Sequence, residues 1–407
     1  MSVFENIRTN LEKVSAYLEL GEDEKKLLLS HKAVNKAKLK VEGKEYDAWR
    51  IVHNDALGPG KGGIRFHPGV SEDEVKSLSF WMSLKNSLAG LHYGGAKGGV
   101  KIDPRKMEAN DLQGVSRAYV QAFHEHLGEN KDIPAPDVYT NPQVMAWMLD
   151  EFEKIKKRHE PGMITGKPMS LGGCAIRADA TSRGGKIILD RLLQKMDKDP
   201  KKTSVAVQGF GNAGMNISCM LENDGYKVIA VSDSKGGISD TDGLDVSKVI
   251  DAKKDKGSVT FHQGRRISNQ ELLELEADVL VLAALENQIT VKNAADVKAK
   301  VILELANGPV TAEADDILLK KGIVAVPDIL ANSGGVVASY CEWCQNKTGH
   351  IFTEDYLTRV LEEKMAGAFD MTYELFKDKQ GLSMRMAAYV LAIRRILDAE
   401  KARGNLD

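Results

Sequence analysis

Apolar and polar positions follow two rhythms along this chain, and the change falls near residue 200. Before it, helical spacing dominates. MSVFENIRTNLEKVSAYLELGEDEKKLLL at the N-terminus alternates apolar and charged residues at that spacing, which returns over Asp111 to Leu127 and Gln143 to Lys157. Ser71, followed by Glu72, Asp73 and Glu74, predicts a capped helix with an acidic first turn that runs to about Leu88. Met82 and Lys85 stand three apart on it, on neighbouring parts of one face. KEYDAWRIVHN, Lys44 to Asn54, has the aromatic and β-branched content of a strand. GPGKGGIRFHPG reads as a loop, GLHYGGAKGG as a break after the helix, and Val100 to Pro104 as a short strand ending at a proline. Ile133 to Asp137, IPAPD, carries too much proline for a helix or a central strand.

Beyond residue 200 the apolar runs become short and continuous. Ser204 to Gln208, Lys227 to Asp233, Asp278 to Ala284, Val301 to Leu305 and Ile323 to Val326 read as buried strands separated by helical segments such as Met215 to Leu221. That pattern predicts a parallel sheet covered on both faces. The fold class is therefore α/β with two domains, an N-terminal α/β part and a doubly wound part.

Composition narrows the function. A chain of 407 residues with 43% hydrophobic content is long enough for two domains with real cores. Lys+Arg 56 against Asp+Glu 58 leaves a formal net charge of -2, so no global field draws the protein to nucleic acid or anionic lipid. No apolar run approaches the roughly 20 residues that span a bilayer. The N-terminus lacks the apolar core of a signal segment, and a cytoplasmic protein is expected. Cys174, Cys219, Cys341 and Cys344 are too few for a disulfide scaffold. Cys341 and Cys344 form a CxxC without a second pair, and no metal is expected; a helix over Ser339 to Gln345 would place both thiols on one packed face.

Gly209, Phe210, Gly211, Asn212, Ala213 and Gly214 match GxGxxG, which alone is a weak signal. Here the match follows a strand, opens a helix, and precedes by about 20 residues the acidic end of the next strand, Asp233. Gly209 then permits the tight turn, Gly211 the approach of a pyrophosphate, and Gly214 close packing of helix on strand, while the helix N-terminus offers N–H donors. Asp233 would accept the adenosine ribose hydroxyls and favours NAD, but Ser234 and Lys235 follow it and could hold the extra phosphate of NADP. The choice stays open, with NAD favoured.

Lys61 in GPGKGGIR and Lys97 in YGGAKGGV do not fit GxxxxGK[ST], so a phosphate-loop NTPase is excluded. Solvated charge is the usual fate of lysine. Glycines packed around each lysine make more sense where something must approach the backbone closely. A lysine among other cations in a water-poor cleft has its charged form disfavoured and can act as a base. A dicarboxylic amino acid needs one cation for each carboxylate, which leaves the third of Lys61, Lys85 and Lys97 for chemistry.

The segments GPGKGGIRFHP, WMSLKNSL, YGGAKGG, IPAPDV, TGKPMSLGG with ADATSRG, GFGNAG, ELANGPVT and DILANSGGVVASYCEW stand in the order found in the glutamate, leucine, phenylalanine and valine dehydrogenases. From about residue 25 onward the chain resembles this family, most closely its glutamate-acting branch. The resemblance implies that Lys97 activates water and that Asp137 exchanges protons with the substrate nitrogen. It also implies that Lys85, with Met82 beside it, holds the α-carboxylate, and that Lys61 reads the side-chain carboxylate with help from Ser339. The position of Lys61 is typically apolar in members acting on apolar amino acids. Thr181, Asn212 and Asn307 match residues of the dinucleotide cleft; without the family they would read as a cap and turn formers. Two departures stand out, His92 in place of a common proline and Ser333 in place of a common alanine.

The expectation is thus deamination of glutamate to 2-oxoglutarate and ammonium with NAD or NADP, by a homohexamer that closes its domains. Residues 1–180 would form the substrate and oligomerisation domain and 181–335 a Rossmann domain, with the cleft at their junction. Residues 336–407 would return as helices to the substrate domain. A leucine, phenylalanine or valine dehydrogenase and a catalytically silent dinucleotide-binding subunit are the alternatives.

Overall fold

The computed structural model describes residues 3–379 and 381–406, so the first two residues of the N-terminal helical pattern lie outside it. Among the described residues no helix is long and apolar enough to cross a membrane. The chain divides into two compact units. The first contains residues 3–177, Val336–Arg359 and residues 390–406; the second contains Ala178–Gly335 and Val360–Tyr389.

In the first unit the order is α1 (Val3–Leu18), α2 (Glu22–Leu29), β1 (Ala33–Val41), β2 (Lys44–Asn54), β3 (Gly60–Phe66), α3 (Glu72–Leu88), β4 (Gly95–Val100), α4 (Ala109–Phe123), β5 (Asp132–Pro136) and α5 (Pro142–Lys156). The strands form one sheet in the order β1-β2-β4-β3-β5. β4 is antiparallel to β2 and parallel to β3, and β3 is parallel to β5. The helix expected after Ser71 is α3, with the Glu74 amide donating to Ser71 Oγ at 3.3 Å. Apolar side chains of α4 and α5, among them Val115, Tyr119, Met148 and Phe152, pack with Ile64, Phe66 and Val100 of the sheet.

Two expectations fail here. GPGKGGIR and GGAKGGV are not loops but the strands β3 and β4, next to each other inside the sheet and almost wholly buried. The strand expected over Val100 to Pro104 ends at Val100 instead. Glycine normally weakens a strand, and here close approach overrides that propensity. A Cβ on Gly62 would overlap the Ala96 carbonyl oxygen, and one on Gly95 would overlap the backbone nitrogen of Ser83 in α3. The proline-rich IPAP segment forms β5, an edge strand, where a missing N–H donor is tolerated.

In the second unit come α6 (Ala180–Lys195), β6 (Ser204–Gln208), α7 (Asn212–Asn223), β7 (Lys227–Asp233), β8 (Gly236–Ser239), α8 (Val246–Lys256), β9 (Arg265–Ile267), α9 (Asn269–Leu273), β10 (Val279–Leu282), β11 (Val301–Glu304), α10 (Ala312–Lys320), β12 (Val324–Val326) and α11 (Asp328–Ala331). The sheet order is β12-β11-β10-β6-β7-β8-β9. The five expected strands pair in parallel. β8 and β9, which the apolar pattern did not announce, add an antiparallel edge.

Three helices close the chain: α12 (Gly334–Thr348), α13 (Glu354–Asp378) and α14 (Met384–Ala402). The C-terminal segment does not return whole to the first unit, because Val360–Tyr389 belongs to the second. A buried cation explains the division. Arg385, in the first turn of α14, is 2% exposed and faces Glu304, Asp315 at 3.2 Å and Asp328 at 3.8 Å. Ser383 Oγ donates to Asp315 at 2.7 Å. A guanidinium taken out of water is retained only beside its counter-ions, so this turn stays with their unit.

Candidate active site

In the first unit, Lys97 lies in mid β4, 4% exposed, and its ammonium donates to Asp137 Oδ2 at 2.5 Å. Asp137 follows β5, its backbone amide held by Thr140 Oγ1 at 2.7 Å. Gly63 makes room for it, since a Cβ there would lie 2.8 Å from the Asp137 Cβ. The second carboxylate oxygen of Asp137 accepts from Arg65 Nε at 2.8 Å, and Arg65 in turn reaches Glu74 of α3 at 2.5 Å. Burial pulls the Lys97 ammonium below its ordinary value; Asp137 opposes this and Arg65 adds to it. Burial alone would raise the Asp137 carboxyl, but Lys97 and Arg65 overcome it and hold the group well below the carboxylate range.

Lys61 of β3 is 1% exposed, and its ammonium donates to the carbonyls of Ile133 and Pro134, each at 3.2 Å. Burial pushes it well below the usual lysine value, and Arg177 and Arg50 push it further against the pull of Glu342 and Asp132. Arg50 is fully buried in β2, donates to Asp132 Oδ2 at 2.7 Å and to the Gly62 carbonyl at 2.9 Å. It thereby ties the strand that bears Lys61 to the strand whose carbonyls receive it. Met82 and Lys85 are half-buried on α3, and Met82 Cγ lies 3.2 Å from where a Gly62 Cβ would be. Ser339 of α12 is buried; its hydroxyl accepts from Arg177 and its carbonyl accepts from the Tyr93 hydroxyl at 3.4 Å.

The CxxC segment lies within α12, with Cys341 buried and Cys344 half-buried. Between its thiols, fully buried Glu342 pairs with Lys167 at 2.7 Å and accepts the Gly166 amide at 2.9 Å. All four cysteines are free thiols, and no cluster of three or more potential metal ligands occurs among the described residues. His92 is exposed, with its backbone carbonyl against Gly58, and the Ser333 hydroxyl is satisfied by the Ile329 carbonyl at 2.6 Å.

In the second unit, Gly209 has a φ of +89° and a Cβ there would stand 2.6 Å from the Ala284 backbone nitrogen. A Cβ on Gly214 would overlap the Gly209 carbonyl, whereas one on Gly211 meets nothing within 4 Å. The turn lies where β6 has β7 on one side and β10 on the other, the strand-order reversal at which doubly wound sheets bind nucleotides. α7 begins with no side-chain cap on its N-terminal amides. These features fit a dinucleotide whose pyrophosphate lies over Gly211 and Phe210 to Ala213 at the helix start.

The other predicted cofactor residues frame the same unit. Thr181 is in the first turn of α6, with its Oγ1 2.9 Å from where a Gly335 Cβ would be, and Asn212 Nδ2 donates to the Ala178 carbonyl at 3.2 Å. Asn307 is exposed after β11 and accepts from Asn332 Nδ2 at 3.1 Å. Asp233 is less open than expected. It already accepts from the Lys235 amide at 2.9 Å, Ser258 Oγ at 3.0 Å and the Val259 amide at 2.8 Å, and Lys253 stands 3.7 Å away. Burial acts to raise its carboxyl, and these amides and Ser258 hold it below its ordinary value. Ser234 beside it is exposed.

Sequence reasoning passed over Arg65, Glu74, Arg177 and the Arg50–Asp132 pair. A strand reading of GPGKGGIR would have found the first, because period-two alternation sets Lys61, Gly63 and Arg65 on one side of β3.

A lysine–carboxylate pair in one unit and a glycine turn at a strand-order reversal in the other fit a dinucleotide-dependent dehydrogenase. A profile described as Glutamate/Leucine/Phenylalanine/Valine dehydrogenase matches residues 172–404, and one described as Glu/Leu/Phe/Val dehydrogenase, dimerisation domain, matches residues 31–154. The chain belongs to this family. It is 46% identical over 361 residues to an NAD-specific glutamate dehydrogenase of Staphylococcus aureus (strain COL), covering 89% of this chain and 87% of that protein. It is 42% identical over 421 residues to an NADP-specific glutamate dehydrogenase of Synechocystis sp., covering 100% and 98%. Among solved structures, the hetero-hexameric glutamate dehydrogenase of Thermus thermophilus superposes with a TM-score of 0.92 at 33% identity, over 100% of this chain and 98% of that one.

Proposed function

We propose that this protein catalyses the oxidative deamination of L-glutamate to 2-oxoglutarate and ammonium, and the reverse amination, with NAD or NADP and with NAD preferred. Buried Lys61 carries the substrate assignment: an ammonium that donates to two neutral carbonyl oxygens, with Arg177 and Arg50 outweighing Glu342 and Asp132 around it, suits an anion, here the side-chain carboxylate. An apolar side chain would bring no counter-charge to that cation, which disfavours leucine, phenylalanine or valine as substrate. Ser339 and Arg177 assist at this end, and Lys85 with Met82 holds the α-carboxylate.

A bound nicotinamide would supply the acceptor for the hydride lost from the substrate Cα, which leaves an imino acid. Lys97 takes a proton from the water that adds to the imino carbon, and Asp137 exchanges protons with the departing nitrogen. Thr181, Asn307, Asp233, Ser234 and the residues of the glycine turn hold the dinucleotide. The oligomer is a homohexamer in the cytoplasm. The chain expressed alone should give the mass of six copies by light scattering, and a smaller particle would overturn that assembly.

Turnover with glutamate, leucine, phenylalanine and valine, each with NAD and NADP, tests the reading. Glutamate with NAD should be fastest; a preference for leucine would sink it. Cofactor binding without turnover on any of them would favour the catalytically silent subunit.

A further inference from the structure

Lys97 and Asp137 present a difficulty for the chemistry proposed above. A base must shed its proton, yet here Lys97 donates to a carboxylate that favours the charged ammonium. If Lys97 were the only counter-ion of Asp137, deprotonating it would strand a largely buried anion, which is costly. The structure supplies a second cation. Arg65 reaches the other oxygen of Asp137 at 2.8 Å, and Glu74, from the first turn of α3, holds Arg65 at 2.5 Å. Lys97, Asp137, Arg65 and Glu74 thus form a neutral chain of four alternating charges.

We propose that Arg65, anchored by Glu74, is a positioning residue that serves as the permanent counter-ion of Asp137 and frees Lys97 to lose its proton. The inference rests on the roles given to Lys97 and Asp137. Arginine suits the task because it stays protonated at any working pH and its fork can bind two carboxylates at once. The strongest influences on Lys97 come from three sides, Asp137 after β5, Arg65 from β3 and Glu74 from α3, and the same β3 and α3 also carry the cations Lys61 and Lys85. On the fourth side β2 places uncharged Ile51 opposite it. Arg65 opposes the charged ammonium and Glu74 favours it, so removing one or the other must act on Lys97 with opposite signs.

The test is the pH dependence of kcat/KM for glutamate, whose ascending limb reports loss of the Lys97 proton. In Arg65→Gln the limb should move to higher pH by about half a unit or more, and Arg65→Lys should bring it back towards wild type. In Glu74→Gln it should move to lower pH by a similar amount. A purely structural role for the pair would lower activity without displacing the limb. Shifts in the same direction, or an unmoved limb in Glu74→Gln, would overturn the proposal. Should Arg65→Gln fail to fold, Glu74→Gln decides alone by the same criterion. Substantial turnover in Lys97→Ala would instead remove the underlying roles, which keeps the two failures distinct.

Discussion

Glycines in the two units look alike in sequence and answer to different constraints. Those of β3 and β4 exist because protein lies against protein: Gly62 against Ala96, Gly95 against Ser83, Gly63 against Asp137. Within the Gly209–Gly214 turn the constraint is split. Gly209 and Gly214 are required by the protein itself, whereas among the described residues nothing lies within 4 Å of where a Gly211 Cβ would be. Open space beside a glycine at the start of a helix that follows a strand leaves room for a ligand to approach the backbone. Sites of the first kind are bound up with folding, and sites of the second kind with binding.

The strongest test of the contrast is Lys97→Ala, which takes the amine out of the crowded strand without adding bulk. Turnover should fall by about a thousandfold or more. The melting temperature and dinucleotide affinity should persist, and residual activity near wild type would remove the role given to Lys97. Gly62→Ala comes next. Its methyl group must displace the β4 backbone, which should cost about 3 kcal/mol or more in chemical denaturation or prevent folding. Unchanged stability would show that the glycine strands are not held by close packing.

Gly211→Ala should do the opposite. Stability should stay within about 0.5 kcal/mol, while dinucleotide affinity measured by titration falls roughly tenfold. An equal loss of stability in both glycine variants would erase the distinction drawn above.

A pH-dependent effect concerns the seam where β2 lies on α2 and α3. His53 is fully buried, faces the Ser83 hydroxyl at 2.7 Å and the Leu28 carbonyl at 2.9 Å, and burial brings its imidazole down to about 3. In the unfolded chain it takes a proton near 6.5. Between these values the unfolded state holds the extra proton, so stability is lost as pH falls from about 6.5 towards 3, by at most about 1.4 kcal/mol per pH unit. Denaturation of His53→Gln across that range should show a shallower decline than wild type, and parallel curves would exclude His53 as its source.

The second unit was legible in the sequence because its signals are local. Strands such as Val205 to Val207 are continuously apolar, and the glycine turn stands directly between strand and helix. β8 and β9 were not, since GGIS and RRI are too short and too polar to carry a period. In the first unit glycine-rich runs carry no hydrophobic rhythm either, and their strand character arises only once β2, β5 and α3 lie against them. The identities of Lys61, Lys97 and Asp137 could be picked out along the chain, but Arg65 gains meaning only through Glu74 and Asp137, nine and seventy-two residues away in sequence.

The sequence by itself determined the alternation of strands and helices in the second unit, the glycine turn and the residue types of the proposed site. All of these depend on neighbours a few positions apart. Tertiary structure alone decided that the two lysine segments are central strands, that Asp137 has two cations and that α14 begins beside Glu304. Each of these follows from burial, which forces backbones into contact and leaves a charge no partner but the one the fold brings to it.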